Sequence, residues 1–226
     1  MTESPRKAVV FCDFDGTITT EDMIVGVWRQ FAPPGWESDV RGIFEGRQTL
    51  KDGVAAVFAK IPSAKEDEII AHVQRIVKFR QGFAPFLDFC EASGVGFTVC
   101  SGGIDFFVHP VLAPYRARIK KIYTIPADLS GPMIRLRHTM TCGSCGLCKA
   151  MAMEEHPGAF KILIGDSLTD LHGAEKADLV FARAKLKEIL TQQGKPFEPY
   201  ETFDEIRETL TRKYPEIVAG SGRIRS

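Results

Sequence analysis

Apolar and polar positions follow two different rhythms along this chain. Residues 7–12 (KAVVFC) form a short β-branched and apolar run that stops at acidic residues and Gly16, the pattern of a buried strand ending in a polar loop. From residue 21 to residue 78 the apolar positions fall at spacings of three, four and seven: Met23, Val27 and Phe31, then Ile43, Leu50, Val54, Val57 and Phe58, then Ile69, Val73 and Ile76. That spacing predicts a bundle of about four short helices, jointed at Pro33-Pro34-Gly35 and Ile61-Pro62-Ser63. Beyond residue 80 strand and helix alternate: helix 84–92, strand 95–100 (VGFTVC), helix 104–112, short strands near 119–123 and 133–137, helix 150–155, strand 160–164, helix 168–176 and a short strand 179–181. Such alternation predicts an α/β fold with a Rossmann-like parallel sheet covered by helices. The expected division is a sheet domain over residues 1–20 and 80–226, interrupted by a helical domain over residues 21–79. In open sheets of this type ligands gather at the carboxyl ends of the strands, so the residues just after VVFC, FTVC and KILI are where chemistry is expected.

Composition narrows the function classes. The 226 residues carry 29 Lys+Arg against 29 Asp+Glu, so no basic surplus exists to neutralise a phosphate backbone, and a nucleic-acid partner is not expected. With 44% hydrophobic residues the chain can bury a sizeable core. No stretch of about 18 apolar residues is present, so no membrane span is expected. Residues 1–10 are polar, and the apolar run that follows is soon interrupted by Asp13 and Asp15, which does not fit an export signal. The expectation is a cytoplasmic protein. The pattern specifies no oligomeric state.

Asp13 and Asp15 follow the first strand directly. In extended backbone, residues two apart point the same way, so both carboxylates can face one site, with Gly16 allowing a sharp turn beside them. Two facing carboxylates repel unless a cation intervenes, and a hard divalent ion such as Mg2+ would resolve the repulsion while leaving room for a phosphate oxygen. An isolated pair of this kind reads better as an acidic turn capping a helix. Here the other strand ends carry matching groups: Gly165-Asp166-Ser167-Leu168-Thr169-Asp170 after strand 160–164, and Ser101-Gly102-Gly103 after strand 95–100, a hydroxyl followed by backbone amides suited to cradling phosphate.

The ordered set DFDGT, Ser101, a lysine and GDSLTD resembles the haloacid dehalogenase superfamily of phosphohydrolases, over the whole chain. The resemblance implies that Asp13 is a nucleophile forming an aspartyl-phosphate and Asp15 the general acid and base. Ser101 would bond the phosphoryl oxygens, and Mg2+ would be held by Asp13, the backbone carbonyl of Asp15 and Asp166, with Asp170 in support. Lys149 and Lys161 both precede the last motif. Lys161 lies in or beside a strand, where a lysine usually points to solvent, so Lys149 at the start of its helix is the expected phosphate partner. The helical insertion would be a cap that excludes water. Phosphoserine phosphatases share this cap placement. The segments FAPPGW at 31–36 and SGGIDFFV at 101–108, with the cysteines before Lys149, look more like the methionine-salvage phosphatases that act on 2-hydroxy-3-keto-5-methylthiopentenyl-1-phosphate. That substrate is expected here, with another small phosphomonoester such as phosphoserine as the alternative. Phe31, Trp36, Phe106 and Phe107 would suit its methylthio group, although aromatic residues at such spacing also read as plain core.

Cys12, Cys90 and Cys100 sit among apolar neighbours and read as small buried hydrophobes. Cys142, Cys145 and Cys148 are different: regularly spaced in a Gly-rich segment ending at Lys149, they could hold Zn2+ with His138 as a fourth ligand. Reduced thiols in a turn, or a disulfide, are the other readings. His72, His109, His156 and His172 have no evident pairing and read as surface or satisfied residues. A zinc-holding binding protein on a phosphatase-like scaffold, and phosphoryl transfer to an acceptor other than water, are the readings from other classes; the complete acidic, serine and lysine set favours hydrolysis.

Overall fold

A computed structural model describes residues 7–218. The ends of the expected sheet domain, residues 1–6 and 219–226, including part of the polar leader, lie outside the described residues. Six parallel strands form one sheet in the order β3-β2-β1-β6-β7-β8. They are β1 (Ala8–Cys12), β2 (Gly96–Ile104), β3 (Lys121–Ile125), β6 (Phe160–Gly165), β7 (Leu179–Ala182) and β8 (Glu198–Pro199). Strands β1 and β7 are apolar without alternation because both faces are covered: Val10, Phe11 and Cys12 are all buried, as is every residue of β7, though successive side chains point to opposite faces. From β1 the chain fills one side of the sheet through β2 and β3, then returns to β6 on the other side of β1. Strand order thus reverses at β1, and the carboxyl ends of β1 and β6 form the crevice where ligands bind in such sheets.

The register brings the expected site residues level. Cys12 pairs with Val99 of β2 and with Ile164 of β6, and the Asp13 amide donates to the Ile164 carbonyl at 2.9 Å. The helices α5 (Phe83–Ala92) and α10 (Phe203–Lys213) pack on the sheet through an aromatic seam, with Phe203 5.3 Å from both Phe83 and Phe86, and Phe97 of β2 6.0 Å from Phe83. Helices α6 (Asp105–Leu112), α7 (Lys149–Glu154), α8 (Leu171–Ala174), α9 (Ala184–Gln192) and α11 (Pro215–Val218) complete the cover. No element was expected beyond residue 181, where the two-residue β8 is too short to carry a strand pattern.

Two expectations are corrected. Residues 133–137 do not join the parallel sheet: β5 (Arg135–Leu136) pairs antiparallel with β4 (Ala127–Asp128) in a separate hairpin. The connection between them is too short for the crossover that parallel pairing requires. The expected helix 168–176 is a single 3₁₀ turn, Leu168–Asp170, running into the short α8.

The insertion holds four α-helices, α1 (Met23–Phe31), α2 (Trp36–Phe44), α3 (Leu50–Phe58) and α4 (Glu66–Ile76). Asp22 and Thr49 cap α1 and α3 by accepting from the amides of Val25 and Asp52. The insertion leaves and rejoins the sheet at one point: Thr19 and Phe79 form an antiparallel bridge, and the Thr20 amide donates to the Lys78 carbonyl at 2.9 Å. It also touches the small hairpin, where the amides of Ile134 and Ser63 donate at 3.0 Å to the carbonyls of Ile61 and Pro132. Among the described residues no helix is long and apolar enough to cross a membrane.

Arg80 holds this junction. Its guanidinium is buried and donates to the carbonyls of Thr17 (2.8 Å), Gly16 (2.6 Å) and Glu201 (3.2 Å), tying the turn after β1 to the return strand and to the C-terminal region. A lysine cannot serve several carbonyls in this fork. Arg80→Met removes the donor from these carbonyls, that of Thr17 buried, and is expected to lower unfolding free energy by about 2–4 kcal/mol in urea titration. A loss below about 1 kcal/mol would show that the clamp carries no load.

Candidate active site

The turn after β1 spans Phe14–Ile18 and reverses at Gly16, whose φ is +74°. A side chain there would be strained in that conformation and would collide with the Asp166 carboxylate. The same crowding occurs at Gly165, where a Cβ would run into Asp170. Gly16 lets the loop after β1 approach the loop after β6, and Gly165 lets that second loop fold its own Asp170 back, until the carboxylates of Asp13, Asp166 and Asp170 lie with oxygens within 4.8 Å of one another.

Lys149 is set among them. It opens α7, fully buried, and its Nζ lies 2.7 Å from Asp13 Oδ1 while also pairing with Asp170 Oδ1. Lys161, the rejected alternative, is a strand residue of β6 in register with Val9 of β1. The remaining oxygen of Asp170 accepts from the amides of Asp166 (3.0 Å) and Ser167 (2.9 Å), so both of its oxygens are engaged and it braces the loop. Asp166 Oδ1 accepts from the Thr17 hydroxyl at 3.0 Å.

Burial pushes the carboxyls of Asp13, Asp15 and Asp166 above the ordinary range. For Asp13 the Lys149 ammonium opposes the shift, while Asp170 and Asp166 add to it. Asp22 adds to it for Asp15, and Asp170 for Asp166. Burial works to discharge Lys149, but the carboxylates of Asp13 and Asp170 outweigh it and hold the ammonium charged. Three carboxylates, those of Asp13 and Asp170 buried and that of Asp166 half-buried, against one ammonium leave an excess of negative charge on oxygen donors, which fits a hard divalent cation such as Mg2+.

Asp15 points toward the insertion. Its Oδ1 accepts the amide of Met23, the first residue of α1, at 2.7 Å. Ser101 is fully buried, but in a different setting from the one expected: β2 continues through Ser101, Gly102 and Gly103 to Ile104, with an irregular register against β3 after Cys100. The Gly103 amide donates to Ser101 Oγ at 2.8 Å, so this amide does not point at a ligand as expected. In accepting that bond, the Ser101 hydroxyl keeps its own proton for another acceptor. The Gly102 amide has no such engagement with Ser101.

The aromatic residues divide. Phe107 is fully buried in the core, which corrects its expected place in a substrate pocket. Phe106 is half-buried on α6, which packs against α4 of the insertion. Phe31 meets His72 edge-on at 5.5 Å, and Trp36 lies 5.6 Å from Trp28. The cysteine triplet is corrected in one ligand. His138 Nδ1 faces the Gly146 carbonyl at 3.0 Å and stands outside the cluster, whereas His172, read from sequence as unpaired, joins Cys142, Cys145 and Cys148. Arg80 and Arg183 were also missed; Arg183 Nη1 donates to the Gly16 carbonyl at 3.0 Å and lies 4.0 Å from Asp166. No local motif announces an arginine recruited from a distant strand end.

Comparison with known proteins agrees with this geometry. Residues 10–175 match the family described as haloacid dehalogenase-like hydrolase. A curated protein of Brevibacillus brevis, named 2-hydroxy-3-keto-5-methylthiopentenyl-1-phosphate phosphatase, is 37% identical over 220 residues, covering 94% of this chain and 99% of its own. One of the same name from Geobacillus kaustophilus is 37% identical over 92% of this chain and 97% of its own. Among solved structures, a phospho-aspartyl intermediate analogue of phosphoserine phosphatase superposes with a TM-score of 0.67 at 18% identity, covering 91% of this chain and 98% of that one, a likeness of fold. The chain belongs to the haloacid dehalogenase-like hydrolases and is a phosphatase.

Proposed function

We propose that this phosphatase hydrolyses a small phosphomonoester through an aspartyl-phosphate on Asp13, and that its substrate is 2-hydroxy-3-keto-5-methylthiopentenyl-1-phosphate. The observation that carries the mechanism is the buried contact of Lys149 with both Asp13 and Asp170 beside a second acidic loop. The substrate rests on the names of relatives similar over nearly the whole chain.

Asp13 acts as nucleophile: a carboxylate oxygen attacks phosphorus and the bond to the leaving oxygen breaks. Burial favours the neutral, unreactive acid, and the Lys149 ammonium opposes this by favouring the ionised form. Asp13, Asp166 and the backbone carbonyl of Asp15 would hold Mg2+, braced by Asp170. Bound there, the ion supplies charge neutralisation for the phosphoryl oxygens. Ser101 donates its free hydroxyl proton to one of those oxygens, and the Gly102 amide lies beside it.

Asp15 protonates the departing oxygen. Burial, with Asp22 nearby, raises its pKa and so favours the protonated form that this step needs. Once Asp15 has given up its proton, it takes one from water, which attacks the phosphorus of the aspartyl-phosphate and releases phosphate with Asp13 restored. Residues 21–79 act as the cap. Because Asp15 bonds the first amide of α1, movement of the cap is coupled to the position of the acid.

Asp13→Asn is expected to abolish phosphate release while circular dichroism stays unchanged; wild-type turnover in this variant would refute the nucleophile. Within the first turnover, Asp15→Asn should slow leaving-group release about 10²–10⁴-fold on an alkyl phosphate, and much less on p-nitrophenyl phosphate, whose leaving group departs without a proton. Equal losses on both would remove Asp15 from the acid role. Lys149→Met leaves the buried carboxylates uncompensated and should lower stability by about 3–5 kcal/mol near neutral pH. Burial already raises the pKa of Asp13 and Asp166, and the variant loses the ammonium that opposes this rise, so the deficit should shrink as pH falls and these acids take up protons. A deficit that grows on acidification would contradict this. In a turnover assay over small phosphomonoesters the salvage enol-phosphate should give the highest kcat/KM, and a preference for phosphoserine would overturn the substrate.

A further inference from the structure

The cysteine cluster stands apart from the acidic site and no step above uses it. Cys142 Sγ and Cys145 Sγ lie 3.2 Å apart, each is 3.4 Å from His172 Nδ1, and with Cys148 Sγ all four ligand atoms fall within 4.8 Å of one another. Tetrahedral zinc, with Zn–S of about 2.3 Å and Zn–N of about 2.0 Å, places its ligand atoms about 3.5–3.8 Å apart. The four atoms are thus gathered at nearly the required spacing. Three sulfurs and an imidazole form a soft set that suits zinc, and oxygen-preferring Mg2+ would not compete for it. Cys142 and His172 are exposed, which leaves the position open to a metal from solution.

We propose that Cys142, Cys145, Cys148 and His172 form a structural zinc site that locks the two loops on which the acidic site depends. Cys148 immediately precedes Lys149, and His172 follows Asp170 by two residues. A metal joining them spans the same gap as the buried Lys149–Asp170 pair and holds its two partners in place. The loop is already shaped for this. Cys148 donates its amide to the Met140 carbonyl at 2.9 Å, and the Thr141 hydroxyl donates to the Cys145 carbonyl at 2.6 Å. Its outer side meets the cap, where the Lys51 amide at the start of α3 donates to the Ser144 carbonyl at 3.3 Å. The zinc therefore also fixes a point against which the cap rests.

The test measures metal without substrate, so its failure is distinct from failure of the proposed reaction. Full-length protein purified without chelator or added Mg2+ should contain about one zinc per chain by mass spectrometry. Replacement with Co2+ should give the intense visible bands and thiolate charge-transfer absorption of a tetrahedral sulfur site; cobalt on carboxylates alone would give only weak bands. His172→Ala should weaken zinc affinity at least about tenfold and alter the cobalt spectrum, while His138→Ala leaves both as in the wild type. Because His172 is exposed, this variant should fold, and the wild-type cobalt titration stands regardless. Absence of zinc and of the charge-transfer band, a Cys142–Cys145 disulfide found by alkylation and mass spectrometry, or a spectrum sensitive to His138 instead of His172 would each overturn the proposal.

Discussion

One buried lysine makes this arrangement possible. Asp13, Asp166 and Asp170 are brought together with Asp13 and Asp170 buried, where carboxylates repel, and burial favours the protonated form of Asp13 and Asp166. Lys149, itself fully buried, could not stay charged alone; it does so because Asp13 and Asp170 flank it, and in turn it favours the ionised form of Asp13. Each partner is costly without the other, so the group assembles as a unit. A buried ion pair of this kind is poor evidence of stability for its own sake. Its value here lies in an ammonium set against the nucleophile, favouring the charged form of Asp13 where burial works against it.

The rest of the fold serves that unit by bringing three strand ends to one level. Strand order reverses at β1, which opens the crevice, and the pairing of Cys12 with both Val99 and Ile164 sets the depth at which Asp13 and Ser101 emerge. Gly16 allows the two acidic loops to close on each other, Gly165 lets Asp170 fold back within its own loop, and Arg80 pins the turn by its carbonyls, leaving its acids free. The insertion springs from that same turn. With Asp15 bonded to the first amide of α1, chemistry and cap meet within one short segment.

Much of this was legible in the sequence because the informative residues are local. The apolar run ending in Asp13-Phe14-Asp15-Gly16-Thr17 marks a strand end, and Lys149 could be chosen over Lys161 because a helix start and a strand interior present a lysine differently. The four-helix insertion was visible from spacing alone. What escaped depends on distance in the chain. Arg80 and Arg183 reach carbonyls in a loop far away in sequence. His172 was passed over for His138 because proximity in sequence stood in for proximity in space, and only the approach of α8 to the cysteine loop reveals the pair. The continuation of β2 through Ser101-Gly102-Gly103 was hidden because two glycines read as a loop, although a strand can carry them through an irregular register.

Every step of the proposed reaction passes through Asp13 carrying the phosphoryl group, and one measurement reaches it directly. Asp15→Asn, which lacks the base for the second step, can be mixed with p-nitrophenyl phosphate, quenched in acid within a single turnover, digested and sequenced by mass spectrometry. A phosphoryl group on Asp13 is the predicted result. Release of p-nitrophenol matched by free phosphate, with Asp13 unmodified at every quench time, would contradict it.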